Sequence, residues 1–170
     1  IDDLGRVVIP KEIRRTMRIR EGDPLEIFTT RDGEVIFKKY SLIGGLEDFA
    51  AQFCDTLARS SEFTAVITDR DSVIATAGPD KRDLIGRPLT SEMEQLMDGR
   101  SIYQRSRGDA ALPVCQGNDH LIAATAAPIL CQGDVLGLVL FAAGEGQYPD
   151  ESEYKLAQTV SSFLGKHMES

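Results

Sequence analysis

The sequence runs to 170 residues, 42% apolar and 27% charged, which is the composition of an ordinary globular protein with room for one or two domains. Its longest apolar stretches, 121–130 and 135–143, fall short of the ~18 uninterrupted apolar residues of a membrane-spanning helix and read as buried strands. The formal net charge of −8 argues by itself against a polyanionic partner, yet it is unevenly spread: residues 1–40 hold nine Lys/Arg against eight Asp/Glu, and residues 41–170 hold ten against nineteen. Six of the nine amino-terminal bases lie between Arg6 and Arg20, and partner choice follows such local patches rather than the total.

In chain order, Asp3-Leu4-Gly5-Arg6 reads as a turn, with Gly5 supplying the backbone freedom. Val7-Val8-Ile9 follow as a short β-branched strand. Pro10 suits the first position of a helix, where a missing N–H is harmless. Residues 11–17 then make about two helical turns. Ile13 and Met17 face a core, and Lys11, Arg14, Arg15 and Arg18 share the other side. Glu21-Gly22-Asp23-Pro24 ends the helix and turns the chain. Residues 25–30 and 34–39 are paired strands around Asp32-Gly33, a strong hairpin signal. Leu25, Ile27 and Thr29 share a face of the first strand, and Val35, Ile36 and Phe37 come from the second. So few large apolar side chains cannot bury a core alone, and domains this small rely on disulfides, metal or oligomerisation. Cys54, Cys115 and Cys131 lie outside the segment, show no metal-ligand spacing and read as free buried thiols. His120 and His167 are far apart. With no disulfide and no metal set, self-association is the expectation, and a dimer would place two arginine clusters side by side, as a phosphate backbone requires.

The run Ile1-Asp2-Asp3-Leu4-Gly5-Arg6-Val7-Val8-Ile9-Pro10-Lys11-Glu12-Ile13-Arg14-Arg15, continued by Gly22-Asp23-Pro24-Leu25-Glu26-Ile27-Phe28 and by Lys38-Lys39-Tyr40, resembles the swapped-hairpin DNA-binding domain of the AbrB-like transition-state regulators. The resemblance implies a dimer in which the hairpins of two chains interleave into one β-barrel-like body. It implies contact with double-stranded DNA by Arg6, Arg14 and Arg15; Lys11 and Arg18 join them on charge and helical phase alone. It also implies a further short basic strand ahead of Ile1, carrying one more DNA-contacting arginine, so the sequence is expected to start a few residues into the domain. Ile1-Asp2-Asp3 shows no secretory leader. A cytoplasmic, nucleoid-associated transcription regulator of the sporulation type is therefore expected, reading groove shape and flexibility as well as base edges.

Ser41 to Gly45 reads as a linker with Gly44-Gly45 as its flexible point. Leu46, Phe49, Ala50, Phe53, Leu57 and Ala58 recur at helical spacing. Residues 63–68 and 72–76 are strands about the turn Asp69-Arg70-Asp71, and residues 91–97 are a helix opened by a Ser91/Glu94 capping box. Residues 101–105 are a strand, Gln116-Gly117-Asn118-Asp119 a turn, and residues 120–130 and 135–143 long strands joined through Cys131-Gln132-Gly133-Asp134. Asp150, with Glu153 three residues on, caps a last helix whose apolar stripe is Leu156, Ala157, Val160, Phe163, Leu164 and Met168.

Helix, hairpin, helix, three strands and helix make a mixed antiparallel sheet with helices packed on it. The segment resembles a GAF domain through Val66-Ile67-Thr68-Asp69-Arg70-Asp71-Ser72-Val73-Ile74-Ala75, Pro128-Ile129 and Gly133-Asp134-Val135-Leu136-Gly137-Leu138-Val139-Leu140. That resemblance implies a small-molecule sensor, with Asp80-Lys81-Arg82-Asp83 and Arg105-Ser106-Arg107-Gly108 either at the mouth of a ligand site or on ordinary solvated loops. No cofactor, chromophore attachment or effector identity is implied. Gly144-Glu145-Gly146 lacks the Lys and Ser/Thr of a phosphate loop, and no nucleophile, histidine base and orienting acid stand together, so no catalytic residues and no enzyme are expected.

The expected fold is α+β. It comprises an AbrB-like swapped-hairpin half-barrel over 1–43, a connecting helix in 44–61 and a mixed α/β GAF-like sensor or oligomerisation domain over 62–170. The helices within 46–60 and 150–168 each carry an apolar stripe able to pair across subunits, so a dimer of dimers is expected. Two other roles remain open: an antitoxin-like protein-interaction module, and a metabolite sensor with secondary DNA binding.

Overall fold

The computed structural model describes residues 1–40, 43 and 46–169. The chain divides into two compact units, Ile1–Ser41 and Leu42–Ser170. The linker expected over Ser41 to Gly45 lies outside the described residues except for Ile43.

The first unit consists of a short helix, α1 (Lys11–Thr16), and an antiparallel hairpin, β1 (Leu25–Thr29) and β2 (Val35–Lys39). The register pairs Leu25 with Lys39, Ile27 with Phe37 and Thr29 with Val35. The hairpin closes through the Gly33 amide on the Thr30 carbonyl, 3.2 Å, and the Thr30 amide on the Glu34 carbonyl, 3.0 Å. Gly33 sits at φ +87°, so the connection is the three-residue loop with a left-handed glycine rather than a two-residue turn.

Two expectations change here. Val7-Val8-Ile9 is extended sequence but not a strand, because within one chain no neighbouring strand takes up its ladder hydrogen bonds. Pro10 stands one position before the helix, at φ −55° and ψ 147°, and its carbonyl accepts the Arg14 amide at 3.0 Å.

The second unit follows the order α2 (Glu47–Arg59), β3 (Thr64–Thr68), β4 (Val73–Ala77), α3 (Ser91–Asp98), β5 (Tyr103–Gln104), β6 (Pro113–Cys115), β7 (Asn118–Cys131), β8 (Asp134–Ala143) and α4 (Glu151–His167). The strands lie in the order β4-β3-β8-β7-β5, with β6 also on β7, and every pairing is antiparallel. Both faces are covered. Ala65, Ile67, Val139 and Phe141 pack with Ala50, Cys54, Leu57, Ala157, Val160 and Leu164 of α2 and α4. The alternate residues Val66, Leu138 and Leu140 pack with Met93 and Met97 of α3 and with Leu84 and Leu89. Successive strand residues point to opposite faces, so a doubly covered sheet needs apolar side chains at nearly every position. That is why these strands read as continuous apolar runs.

β6 has no counterpart in the sequence pattern, because three residues opening on Pro113 carry no periodicity and only the length of β7 gives them a partner. The cap of α3 also differs: it is Thr90, whose hydroxyl receives the Met93 amide at 3.4 Å and donates to the Pro113 carbonyl at 2.7 Å. Ser91 instead donates to the Glu92 carboxylate, 3.2 Å. The Asp150/Glu153 capping box of α4 forms as its sequence suggests.

Candidate nucleic-acid interface

Asp2 builds the first turn. Its Oδ1 accepts the amides of Leu4 at 3.0 Å and Arg6 at 2.9 Å, and its Oδ2 accepts Nε of Arg6 at 2.6 Å. Gly5, at φ +73°, donates to the Asp2 carbonyl, 3.0 Å. Hydrogen bonds from the Arg6 backbone and then from its side chain hold the Asp2 carboxyl below the ordinary range. The Arg6 side chain is 72% exposed even while paired, so the turn presents a positioned guanidinium to solvent.

Lys11, Arg14 and Arg15 are all exposed on α1. Arg14 and Arg15 occupy its last turn, where cations oppose the partial negative charge of the carbonyl end. The helix closes with the Arg18 amide on the Arg15 carbonyl, 3.2 Å, and the Ile19 amide on the Arg14 carbonyl, 2.8 Å. This is the paired capping pattern in which the residue just past the helix turns left-handed, and Arg18 takes that place at φ +53°. Helical phase therefore does not carry through to Arg18, which lies beyond the helix and is partly buried. Its carbonyl accepts Nζ of Lys39 at 2.6 Å, and the same ammonium lies 3.4 Å from Asp23 Oδ2, which also accepts the Arg20 amide at 2.7 Å. Lys39 and Asp23 thus tie the end of α1 to the hairpin. The sequence signal for this was the Gly22-Asp23-Pro24 turn; the contact across 21 residues to Lys39 had none.

The hairpin leaves apolar side chains uncovered on both faces. Ile27 is 62% and Val35 59% exposed on one, Phe28 and Ile36 are open on the other, and Val8 is 85% exposed. Ile13 and Met17, expected against a core, are exposed as well. Lys38 lies over the Phe28 ring, 5.3 Å from its centroid.

In the second unit, α2 and α4 join Phe49, Phe53, Phe163 and His167 in one aromatic cluster, with ring centroids 5.2–6.0 Å apart. Burial pushes the Cys54 thiol up to about 12, so it stays protonated at neutral pH. No described helix is long and apolar enough to cross a membrane.

Residues 45–169 match the family model described as stage V sporulation protein T C-terminal, transcription factor. Residues 1–42 match the model described as antidote-toxin recognition MazE, bacterial antitoxin. The chain is 46% identical to the stage V sporulation protein T of Bacillus subtilis (strain 168) over 169 residues, 99% of this chain and 94% of that protein. It is 58% identical to the transition state regulatory protein AbrB of the same organism over 40 residues, 24% of this chain and 41% of that one. Among solved structures, a GAF domain/HD domain protein from Geobacter sulfurreducens aligns at TM-score 0.53 and 15% identity, covering 76% of this chain and 99% of the other, which shows the fold of the second unit. A 46% identity to one protein over nearly the whole chain and the two adjoining family matches agree: the chain belongs to the stage V sporulation protein T family of transcription factors, with an AbrB-like amino-terminal unit and a second one of GAF-like fold.

Proposed function

We propose that the protein is a regulator that binds double-stranded DNA through Arg6, Lys11, Arg14 and Arg15 of paired amino-terminal units. The observation that carries this reading is the exposed basic set on the Arg6 turn and α1, confined to the one segment whose balance is not acidic. A polyanion's condensed counterions are released by such a set, which drives association. The uncovered apolar side chains on both hairpin faces support a second copy interleaving there. It also supplies a neighbour for Val7-Val8-Ile9. The aromatic cluster on α2 and α4 supports a further pairing of dimers. In this reading residues 1–43 bind DNA, the helix within 44–61 connects, and residues 62–170 take a small effector, all in the cytoplasm on the nucleoid. It assigns no catalysis.

The test is a titration of the full chain against duplex DNA over a range of salt concentrations. Arg14→Ala and Arg15→Ala are each expected to weaken binding and, because each removes one contact from both copies of the pair, to reduce the slope of log affinity against log salt by about 2. Unchanged affinity and slope in both variants would remove these residues from the interface.

The match of residues 1–42 to an antitoxin model favours a second reading, a protein-neutralising module. A folded unit of Leu42–Ser170 stands where a short disordered toxin-binding tail is expected, which favours the regulator. Stoichiometric co-purification of a small partner from native cells would reverse that preference.

A further inference from the structure

We propose that the second unit carries an oxyanion site built on Arg105 and Tyr103, which takes the phosphate or carboxylate group of a small effector. This deepens, and rests on, the reading of that unit as effector-binding.

The geometry begins with β5, at the edge of the sheet, where successive side chains take opposite faces. Gln104 is fully engaged on one face: its Oε1 accepts the Thr125 hydroxyl at 2.6 Å and its Nε2 donates to the Asp150 carbonyl at 2.8 Å. Tyr103 and Arg105 share the other, with Tyr103 packed against the α3-side core. The Arg105 amide extends the pairing to the Ala124 carbonyl, 2.8 Å, which sets the two Cα atoms about 7 Å apart, and the Arg105 charge is close enough to act on the Tyr103 phenol.

Arg105 is only 4% exposed, yet among the described residues no carboxylate pairs with it. Its Nη1 donates to the Glu145 carbonyl at 2.7 Å, and its guanidinium lies 4.8 Å from the Tyr148 ring centroid. Arg107 approaches the same ring at 5.6 Å, a second cation with no carboxylate partner among the described residues. Nε of Arg105 and the Tyr103 hydroxyl are buried with no hydrogen-bond partner.

A buried charge ordinarily requires a counter-charge and satisfied donors. Here both unpartnered atoms call for an acceptor, and the surplus charge is positive, so the matching chemistry is an oxyanion. Burial raises the Tyr103 phenol above its usual range, Asp109 adds to this and Arg105 opposes it, leaving a protonated donor at neutral pH. Asp109, the nearby acid, has its Oδ2 on the Ser106 amide at 2.8 Å.

The experiment uses the full chain, titrated with inorganic phosphate and separately with acetate, each against chloride at matched ionic strength. The readouts are the arginine Nε–Hε NMR resonances and the melting temperature. The Arg14→Ala/Arg15→Ala double variant serves as background, to remove amino-terminal phosphate contacts. One of the anions is expected to shift the Arg105 resonance saturably and to raise the melting temperature in that background. The arm that responds identifies phosphate or carboxylate as the recognised group. Arg105→Lys, and Arg105→Gln if it folds, should weaken binding by about tenfold or more, as loss of a charge-assisted hydrogen bond does. Tyr103→Phe should also weaken it, while leaving the melting temperature in chloride unchanged or higher, because it removes an unpartnered hydroxyl. The site is overturned if neither anion moves the Arg105 resonance beyond chloride, or if Tyr103→Phe and Arg105→Lys bind as wild type. A metabolite that stabilises wild type and Arg105→Lys equally would also overturn it, yet leave the effector-binding reading standing.

Discussion

Asp2 shows how one acidic residue can serve a basic surface. Its two oxygens hold the Leu4 and Arg6 amides and the Arg6 guanidinium at 2.6–3.0 Å, so the carboxylate sets the direction of the cation it partly neutralises. Those bonds favour the charged form and depress the folded-state value below the ordinary 3.8. A depressed carboxylate contributes order that is fully present above its unfolded value and is lost as pH falls through the folded one. The turn is therefore expected to stay formed from neutral pH down to about pH 4 and to open only in stronger acid. Following the Arg6 amide by NMR across an acid titration checks this, and a midpoint above 3.8 would refute it. Asp2→Asn keeps an acceptor for the two amides but removes the charge facing Arg6. It should leave the turn largely in place while broadening the range of Arg6 orientations.

At the scale of elements, close approach decides what propensity does not. Gly165 lies inside α4, where alanine is intrinsically better by about 1 kcal/mol. Yet a Cβ at Gly165 would overlap the Leu130 carbonyl of β7, and backbone cannot yield as a flexible side chain can. Overpacking of this kind costs about 1–3 kcal/mol and outweighs the propensity gain. Gly165→Ala is expected to lower the urea midpoint, whereas Gly144→Ala, which meets nothing within 4 Å, should leave it nearly unchanged. Equal midpoints would show that α4 does not press on β7 at this point. Gly137 in β8 is held the same way against the Thr68 carbonyl.

For the whole molecule, charge and apolar surface divide between the units. The amino-terminal unit exposes cations and uncovered β-branched side chains together. The second buries a core on both sheet faces, with the half-buried Phe49 and Phe53 packed on it and the edge of their aromatic cluster exposed at Phe163. If hairpins pair in one place and helices in another, the two associations are separable. Phe163→Asp, which puts a charge into the exposed edge of the α2/α4 cluster, is expected to reduce a tetramer to a dimer. Val8→Asp is expected to break the hairpin dimer itself. Light scattering with chromatography on the full chain reads both, and an unchanged mass in each variant would refute the corresponding interface.

Features set by near neighbours are legible in the amino-acid sequence itself: the Gly5 turn, the Asp32-Gly33 hairpin, the Asp150/Glu153 cap and the apolar runs of the doubly covered sheet. In each, the hydrogen bonds or face-to-face alternation involve residues a few positions apart, so residue type and spacing suffice. The basic set is legible for the same reason, once the charge is divided near residue 40. Other features depend on residues far away in the chain. Val7-Val8-Ile9 has strand propensity but no strand, because a ladder needs a neighbour. Thr90 rather than Ser91 caps α3, because only Thr90 also reaches Pro113. Arg18 leaves the helix face for a left-handed position whose carbonyl Lys39 holds from 21 residues on. Arg105, indistinguishable by sequence from a solvated loop cation, is buried where its guanidinium meets the carbonyl of Glu145, 40 residues away, and the ring of Tyr148. Burial and partner geometry are properties of the packed chain, and they alone separate a surface charge from a site.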